Sequence, residues 1–328
     1  MHITMTAEEK LLKIEDVRVH FPVRGGVFRR AVGACKAVDG VSLSLEKGQT
    51  LGLVGESGCG KSTLAKSVVK LVEPTGGSIR FKNKEISESE DEINFRKSVQ
   101  MVFQDPAESL NSRMTVGSII AEPLEVHKIG DKSERQGRVE QLLNQVGLSR
   151  SASKRYPFEF SGGQRQRIGI ARALALKPEL LVLDEPVSAL DVSVQSQVLN
   201  LLMDLQAELQ LTYLLIAHDL AVVKHVSDMI AVMYLGKIVE IGPAEELYSN
   251  PVHAYTKALI SAIPVPDPTV KRKKVVIPGE VPSPINPPLG CAFGHRVGAN
   301  RYKESIGKNI IMRKVGYDHW VFSCPCCT

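Results

Sequence analysis

Gly55-Glu56-Ser57-Gly58-Cys59-Gly60-Lys61-Ser62-Thr63 places glycines ahead of a lysine and two hydroxyls at a spacing that suits phosphate groups. Glycines let successive backbone N–H groups curl round a phosphate at the positive end of a helix. In this reading Gly55, Ser57, Gly58, Cys59, Gly60 and Thr63 belong to the cradle. Lys61 reaches the β and γ oxygens, and Ser62 holds Mg²⁺ through its hydroxyl. Asp184-Glu185 is a second constellation. Asp184 would support the Mg²⁺ shell, and Glu185 is placed to polarise a water for attack on the γ-phosphate. A third is Ser161-Gly162-Gly163-Gln164. Ser161 is a good helix N-cap, and the two glycines expose free N–H groups at a helix start, which makes another anion site. One chain cannot bring two anion sites to one nucleotide, so the second is expected to serve a neighbour.

The elements that must position these residues are legible beside them. Leu51, Leu53 and Val54 read as a buried strand before the glycine-rich turn. After it Leu64, Val68, Leu71 and Val72 recur at helical spacing until Pro74 and Gly76-Gly77. Leu180 to Leu183 is an uninterrupted apolar run, as in a parallel strand covered on both faces. Its C-terminal end, where Asp184 and Glu185 stand, is where ligands sit in open α/β sheets. Ile168, Ala171 and Leu174 give the segment after Gln164 an apolar helical face. Gln104 follows the apolar strand Met101-Val102-Phe103, and His218 ends the run Leu214 to Ala217. Ser188-Ala189-Leu190-Asp191 lies just beyond Glu185.

With Ser161-Gly162-Gly163-Gln164 matched residue for residue and the other motifs in order, the chain resembles the ABC-type ATPases. The resemblance implies that ATP is bound between two subunits, the signature of one closing over the nucleotide held by the other. It implies that Gln104 senses Mg²⁺ and a membrane partner, that Asp191 shapes the dimer interface, and that His218 contacts the γ-phosphate. Members stack adenine on an aromatic residue upstream of the phosphate loop. Phe21, on the alternating strand Val17, Val19, Phe21, is the choice here, and Phe28 is the alternative.

A narrower resemblance rests on Asp105-Pro106, Ser109 to Val116, Glu185 to Val194, Asn250-Pro251, His253, Tyr255-Thr256, Leu259, Pro264 and Gly279 to Pro288. These look like the ATP-binding subunits of dipeptide and oligopeptide importers, including their nickel-carrying relatives, through to about Phe293. Phe158 stands where that group has histidine, a departure that leaves the signature intact. The resemblance implies two membrane-spanning permease subunits, a second ABC ATPase subunit (a heterodimer, or else a homodimer) and, indirectly, an extracytoplasmic solute-binding protein. It implies a peripheral position on the cytoplasmic face of the membrane and no nucleic-acid partner. Residues near 105–120 would dock a membrane subunit's coupling helix. The alternative class is a soluble ABC ATPase acting on DNA or the ribosome. Such proteins carry paired cores, a long coiled-coil arm or an inserted metal-binding domain, and the sequence shows none of these.

The 328 residues are enough for about two domains, and a net charge of +5 is mild. The one basic run, Lys271-Arg272-Lys273-Lys274, reads as a solvated linker. No apolar run approaches the ~18 residues that span a bilayer. Glu8, Glu9 and Lys10 stand where a secretory leader would be apolar. The expected fold is α/β: a P-loop core, residues 1–104 and 179–260, with a mainly parallel sheet and an antiparallel edge from the early alternating strands, such as that with Val41, Leu43 and Leu45. Residues 105–178 would form an inserted helical subdomain ending in the signature. Residues 261–328, with eight prolines from Pro264 to Pro288, would form an extension wrapping the core.

The chain has six cysteines, four of them near the C-terminal end. In several relatives four cysteines of this tail bind an iron–sulfur cluster. Cys291 matches the first position and Cys324 approximates the last, but Val297 stands at the second and the third has no cysteine. Cys326 and Cys327 are additional, and adjacent residues rarely point at one metal without strain. The expectation is a tail without a cluster, the alternative a rearranged iron–sulfur or zinc site on these four residues.

Overall fold

The computed structural model describes residues 10–25, 30–87, 92–263 and 275–328. Phe28, the basic run 271–274 and the prolines at 264, 266 and 268 lie outside them. The chain opens with two long alternating strands, β1 (Lys10–Gly25) and β2 (Arg30–Glu46). Val17 and Val19 of β1 and Val41, Leu43 and Leu45 of β2 are buried. β3 (Thr50–Val54) is buried at every position and feeds α1 (Lys61–Val68) through the glycine-rich turn. The helix ends sooner than its apolar spacing predicts. Lys70 adopts φ 57°, and the Leu71 N–H turns back to the Lys66 carbonyl at 2.8 Å, a left-handed termination that leaves Leu71 exposed.

β4 (Gly76–Phe81) and β5 (Lys84–Glu85) follow, then α2 (Glu92–Ser98) and β6 (Val99–Val102). Among the described residues, every regular element from there to β7 is helical. They are α3 (Pro106–Ser109), α4 (Val116–Val126), α5 (Lys132–Gln145), two short 3-10 turns, and α6 (Gly162–Leu174). Their starts are marked in the sequence: Asp105, Thr115, Asp131 and Ser161 each accept a backbone N–H as N-cap. β7 (Leu180–Asp184), α7 (Val192–Leu209), β8 (Thr212–Ala217), α8 (Leu220–Val226), β9 (Met229–Tyr234) and β10 (Lys237–Pro243) come next. The remainder holds α9 (Ala244–Ser249), α10 (Ala254–Ser261), α11 (Ala292–Arg296), β11 (Met312–Gly316) and β12 (His319–Phe322).

Two compact units result. The first comprises Leu45–Gln49 and Ile86–Ile216, with Lys10 and Leu11. Its strands β6, β7 and β8 run parallel, Val102 opposite Leu183 and Asp184 opposite Ile216. Burial on both faces explains why β7 and β8 read as unbroken apolar runs.

The second unit comprises Leu12–Ser44, Thr50–Glu85 and Ala217–Thr328. β3 lies parallel to β9, with Val54 opposite Val232. β10 then pairs antiparallel with β9, β12 with β10, and β11 with β12. The early strands form a sheet of their own, ordered β2-β1-β4-β5, so the antiparallel edge beyond β9 comes from late elements instead. Two of those, β11 and β12, belong to the C-terminal extension, which therefore contributes a hairpin as well as an extended strap. The strap meets β2 where the Lys36 N–H donates to the Pro284 carbonyl at 3.0 Å. No helix among the described residues is long and apolar enough to cross a membrane.

Candidate nucleotide site

The phosphate loop lies in the second unit, between β3 and α1. Two of its glycines are required by crowding as well as by conformation. A Cβ on Gly55 would stand 2.1 Å from the Met233 carbonyl oxygen, and one on Gly60 (φ +109°) 1.9 Å from that of Ala37. The loop is thus seated against the end of β9 and against β2, where only bare backbone fits. No side chain caps α1, and the start of a helix is a natural place for an anion. Lys61 is 4% exposed, and its ammonium donates to the carbonyls of Gly55 at 2.8 Å and Glu56 at 3.1 Å. An ammonium held over the loop by exchangeable carbonyl bonds is available to phosphate oxygens. Cys59 is buried beneath it, and that burial pushes its thiol up although Lys61 opposes the shift. Ser57 and Gly58 are exposed, while Ser62 and Thr63 are half-buried on the first turn of α1.

Glu56 is fastened by Tyr255 and by Arg296, the second of which no motif announced. Its N–H donates to the Tyr255 hydroxyl at 2.8 Å, and Tyr255 is wholly buried. Its carboxylate takes a two-pronged bond from Arg296, at 2.7 and 3.3 Å. Arg296 lies 240 positions along the chain, so only the fold brings it there. Phe21 is 43% exposed on β1, in contrast to Val17 and Val19, so it is no core residue. His218 is exposed just after β8, ahead of α8, whose N-cap Asp219 accepts from the Ala221 N–H.

The acidic pair, Gln104 and the signature lie in the first unit. Asp184 is buried at the end of β7. Glu185 follows with φ 47°, a left-handed conformation uncommon for a residue with a side chain. The turn holds it there: its N–H donates to the Ile216 carbonyl, and its own carbonyl accepts from both the N–H and the hydroxyl of Ser188. Gln104 lies two residues beyond neighbouring β6, and its Nε2 donates to Glu185 Oε2 at 2.8 Å. The structure thus joins two residues that the sequence had marked separately. Within this unit Gln104 and the acidic pair are thus held at the ends of neighbouring strands.

Ser161 forms a capping box with Gln164. Its hydroxyl accepts from the Gln164 N–H at 3.4 Å, and the Gln164 side chain accepts from the Ser161 N–H at 3.1 Å. A Cβ on Gly163 would come within 2.3 Å of Val194, and one on Gly162 within 3.3 Å of Leu190. The signature therefore packs directly on the segment containing Asp191, the N-cap of α7. Farther along α6, Arg172 donates to the Ser109 carbonyl at 2.7 Å and ties the signature helix to α3. Phe158, the departure from the expected histidine, is 70% exposed and stacks on Tyr156.

A strand, glycine-rich turn and helix, a strand-terminal acidic pair and a helix-capping signature define an ATPase of the ABC class. Residues 38–188 match the family described as ABC transporter, and residues 239–300 match the oligopeptide/dipeptide transporter C-terminal region. The chain is 56% identical over 299 residues to the oligopeptide transport ATP-binding protein AppF of Bacillus subtilis, covering 90% of this chain and 91% of that one. It is 52% identical over 303 residues to the oligopeptide transport ATP-binding protein OppF of Salmonella typhimurium, covering 90% and 91%. The ATP-binding cassette MJ0796, solved as a dimer in a post-hydrolysis state with ADP and Pi, superposes with a TM-score of 0.63 at 26% identity, over 71% of this chain and 98% of that one. The protein belongs to the ATP-binding subunits of the oligopeptide/dipeptide branch of ABC transporters, and ATP is its nucleotide. That membership sets aside a soluble ATPase acting on DNA or the ribosome.

Proposed function

We propose that this chain hydrolyses ATP to power import of dipeptides, oligopeptides or a related small solute, from a peripheral position on the cytoplasmic face of the membrane. It works beneath two membrane-spanning permease subunits and beside a second ABC ATPase, a sibling chain or, as the alternative, a copy of itself. An extracytoplasmic binding protein delivers the solute. The observation that carries the reading is the Gln104–Glu185 hydrogen bond, which links the proposed base to the strand leading into the proposed coupling segment.

In this mechanism the cradle of Gly55, Ser57, Gly58, Cys59, Gly60 and Thr63 receives the phosphates, and Lys61 exchanges its loop carbonyls for β and γ oxygens. Phe21 stacks on adenine. Ser62, Asp184 and Gln104 would hold Mg²⁺, which would supply neutralisation of phosphate charge. Glu185 orients and deprotonates the attacking water, and His218 contacts the γ-phosphate. Ser161, Gly162, Gly163 and Gln164 act on the nucleotide of the partner ATPase, with Asp191 shaping that interface. Binding of two nucleotides closes the pair, while hydrolysis and phosphate release reopen it. The core would be residues 1–104 and 179–260, and the inserted helical subdomain 105–178 carries the signature toward or away from nucleotide.

The test is to purify the assembly from membranes through a tag on this chain. Two permease subunits and a second, non-identical ABC ATPase should co-purify, and peptides should stimulate ATP hydrolysis once the binding protein is present. Recovery with ribosomes or DNA and without membrane subunits would overturn the reading.

A further inference from the structure

The sulfurs of Cys291, Cys324, Cys326 and Cys327 all lie within 4.8 Å of one another. Cys291 and Cys327 are 3.5 Å apart, Cys326 and Cys327 3.6 Å, and Cys324 and Cys326 2.7 Å. Three of the four are buried and the fourth is half-buried. We propose that these four residues form a mononuclear tetrathiolate site for a soft divalent cation, zinc, which fastens the end of the chain to the second unit.

The adjacency of Cys326 and Cys327 does not keep them apart. The chain turns tightly after β12, the Cys327 N–H reaching the Cys324 carbonyl at 3.3 Å, and this aims both sulfurs at one centre. Gly294 makes the room, since a Cβ there would stand 2.4 Å from the Cys326 sulfur.

The spacing selects the kind of site. Four thiolates bonded tetrahedrally to one zinc at about 2.3 Å lie about 3.8 Å from one another. A four-iron cluster holds its cysteine sulfurs roughly 6 Å apart, because each binds a different iron. A set within 4.8 Å encloses one ion and has no volume for an iron–sulfide core. All-sulfur ligation favours zinc over magnesium or calcium, and four protein ligands leave no open position for catalysis.

Backbone donors support the ligands. The Gly294 N–H donates to the Cys291 sulfur at 3.2 Å, and the Cys326 N–H to the Cys324 sulfur at 3.5 Å. The Ser305 hydroxyl accepts the Cys291 N–H, and the Cys327 carbonyl accepts the N–H of Ala254 at the start of α10. A cavity of about 190 Å³ lined by His253, Leu289 and Cys291 borders the cluster.

The full-length chain, purified without chelator and titrated with zinc alone, should hold one zinc per chain and no acid-labile sulfide. X-ray absorption should give four sulfurs at about 2.3 Å. Replacement by cobalt should yield the intense visible bands of a tetrahedral thiolate site. Cys291→Ser and Cys327→Ser should each drop zinc well below stoichiometry, whereas Cys35→Ser should not. Iron with labile sulfide would overturn the proposal. So would a metal-free chain with four freely alkylated thiols after zinc titration, or a disulfide within the set. The wild-type measurements decide the matter even if a serine variant fails to fold.

Discussion

Glu185 is the proposed base, and its backbone says as much as its side chain. A non-glycine residue at positive φ costs about 1–3 kcal/mol and persists only where its surroundings hold it. Here Ser188 and the Ile216 carbonyl do so, and Gln104 fixes the carboxylate. Glu185→Gln keeps the shape and removes the base. The variant should bind ATP normally and hydrolyse it roughly 10²–10⁴ times more slowly. It should also accumulate a closed dimer with ATP, because the γ-phosphate stays between Lys61 of one subunit and the signature of the other. Single-turnover hydrolysis and size-exclusion chromatography test this, and near-normal turnover removes Glu185 from its role. Position and type were legible for this residue in the sequence, because an acidic pair closing an apolar run needs no long-range information. The bond to Gln104 was not. It depends on β6 and β7 being neighbours in register, and pairing order leaves no mark on the local pattern.

At the scale of elements, α6 is pressed from one side and tied on the other. Gly163 sits where a methyl group would enter Val194, so Gly163→Ala must push α6 from α7 or bend the signature turn. A loss of about 1–3 kcal/mol is expected, the usual cost of overpacking. ATPase activity should fall further than stability accounts for, because the signature itself is displaced. An unchanged melting temperature with unchanged activity would mean the contact relaxes freely. Arg172 provides the tie, its half-buried guanidinium holding the Ser109 carbonyl of α3. The segment Asp105–Met114 continues from the strand leading to Gln104, so it can report on the γ-phosphate without touching the base. Arg172→Met, or substitutions in that segment, should leave nucleotide affinity nearly intact while abolishing transport in reconstituted vesicles. Affinity falling as far as it does in Lys61→Ala would exclude a coupling role. The capped helix start at Ser161 was readable because capping is local. The premature end of α1 and the separate sheet of the early strands were not, since a left-handed Lys70 and a choice of strand partner are settled by packing.

Across the whole second unit, the C-terminal extension reaches back to the phosphate loop. Phe293 of α11 lies against Tyr234 and Tyr255, with ring centroids 5.4 Å away in both cases. Tyr255 accepts the Glu56 N–H, and Arg296, 7% exposed, pairs with the Glu56 carboxylate. The loop is therefore braced by residues far along the chain, and its pre-organisation is a property of the extension as much as of its glycines. Arg296→Ala leaves the Glu56 carboxylate partly buried, unpaired and within the loop that must receive phosphate. Breaking the pair should cost about 1–3 kcal/mol of stability, less than for a fully buried one because Glu56 keeps some access to water. The freed negative charge should also repel ATP, and a loss of about 1.4 kcal/mol in binding is roughly a tenfold weaker Kd. Glu56→Gln in the same chain removes that charge and should restore much of the affinity without restoring stability. Calorimetric titration with MgATP and thermal melts of the two single variants and the double variant separate these effects. An affinity unchanged in Arg296→Ala, with only the melting temperature lowered, would show that the extension supports the fold and leaves the nucleotide site to its own glycines.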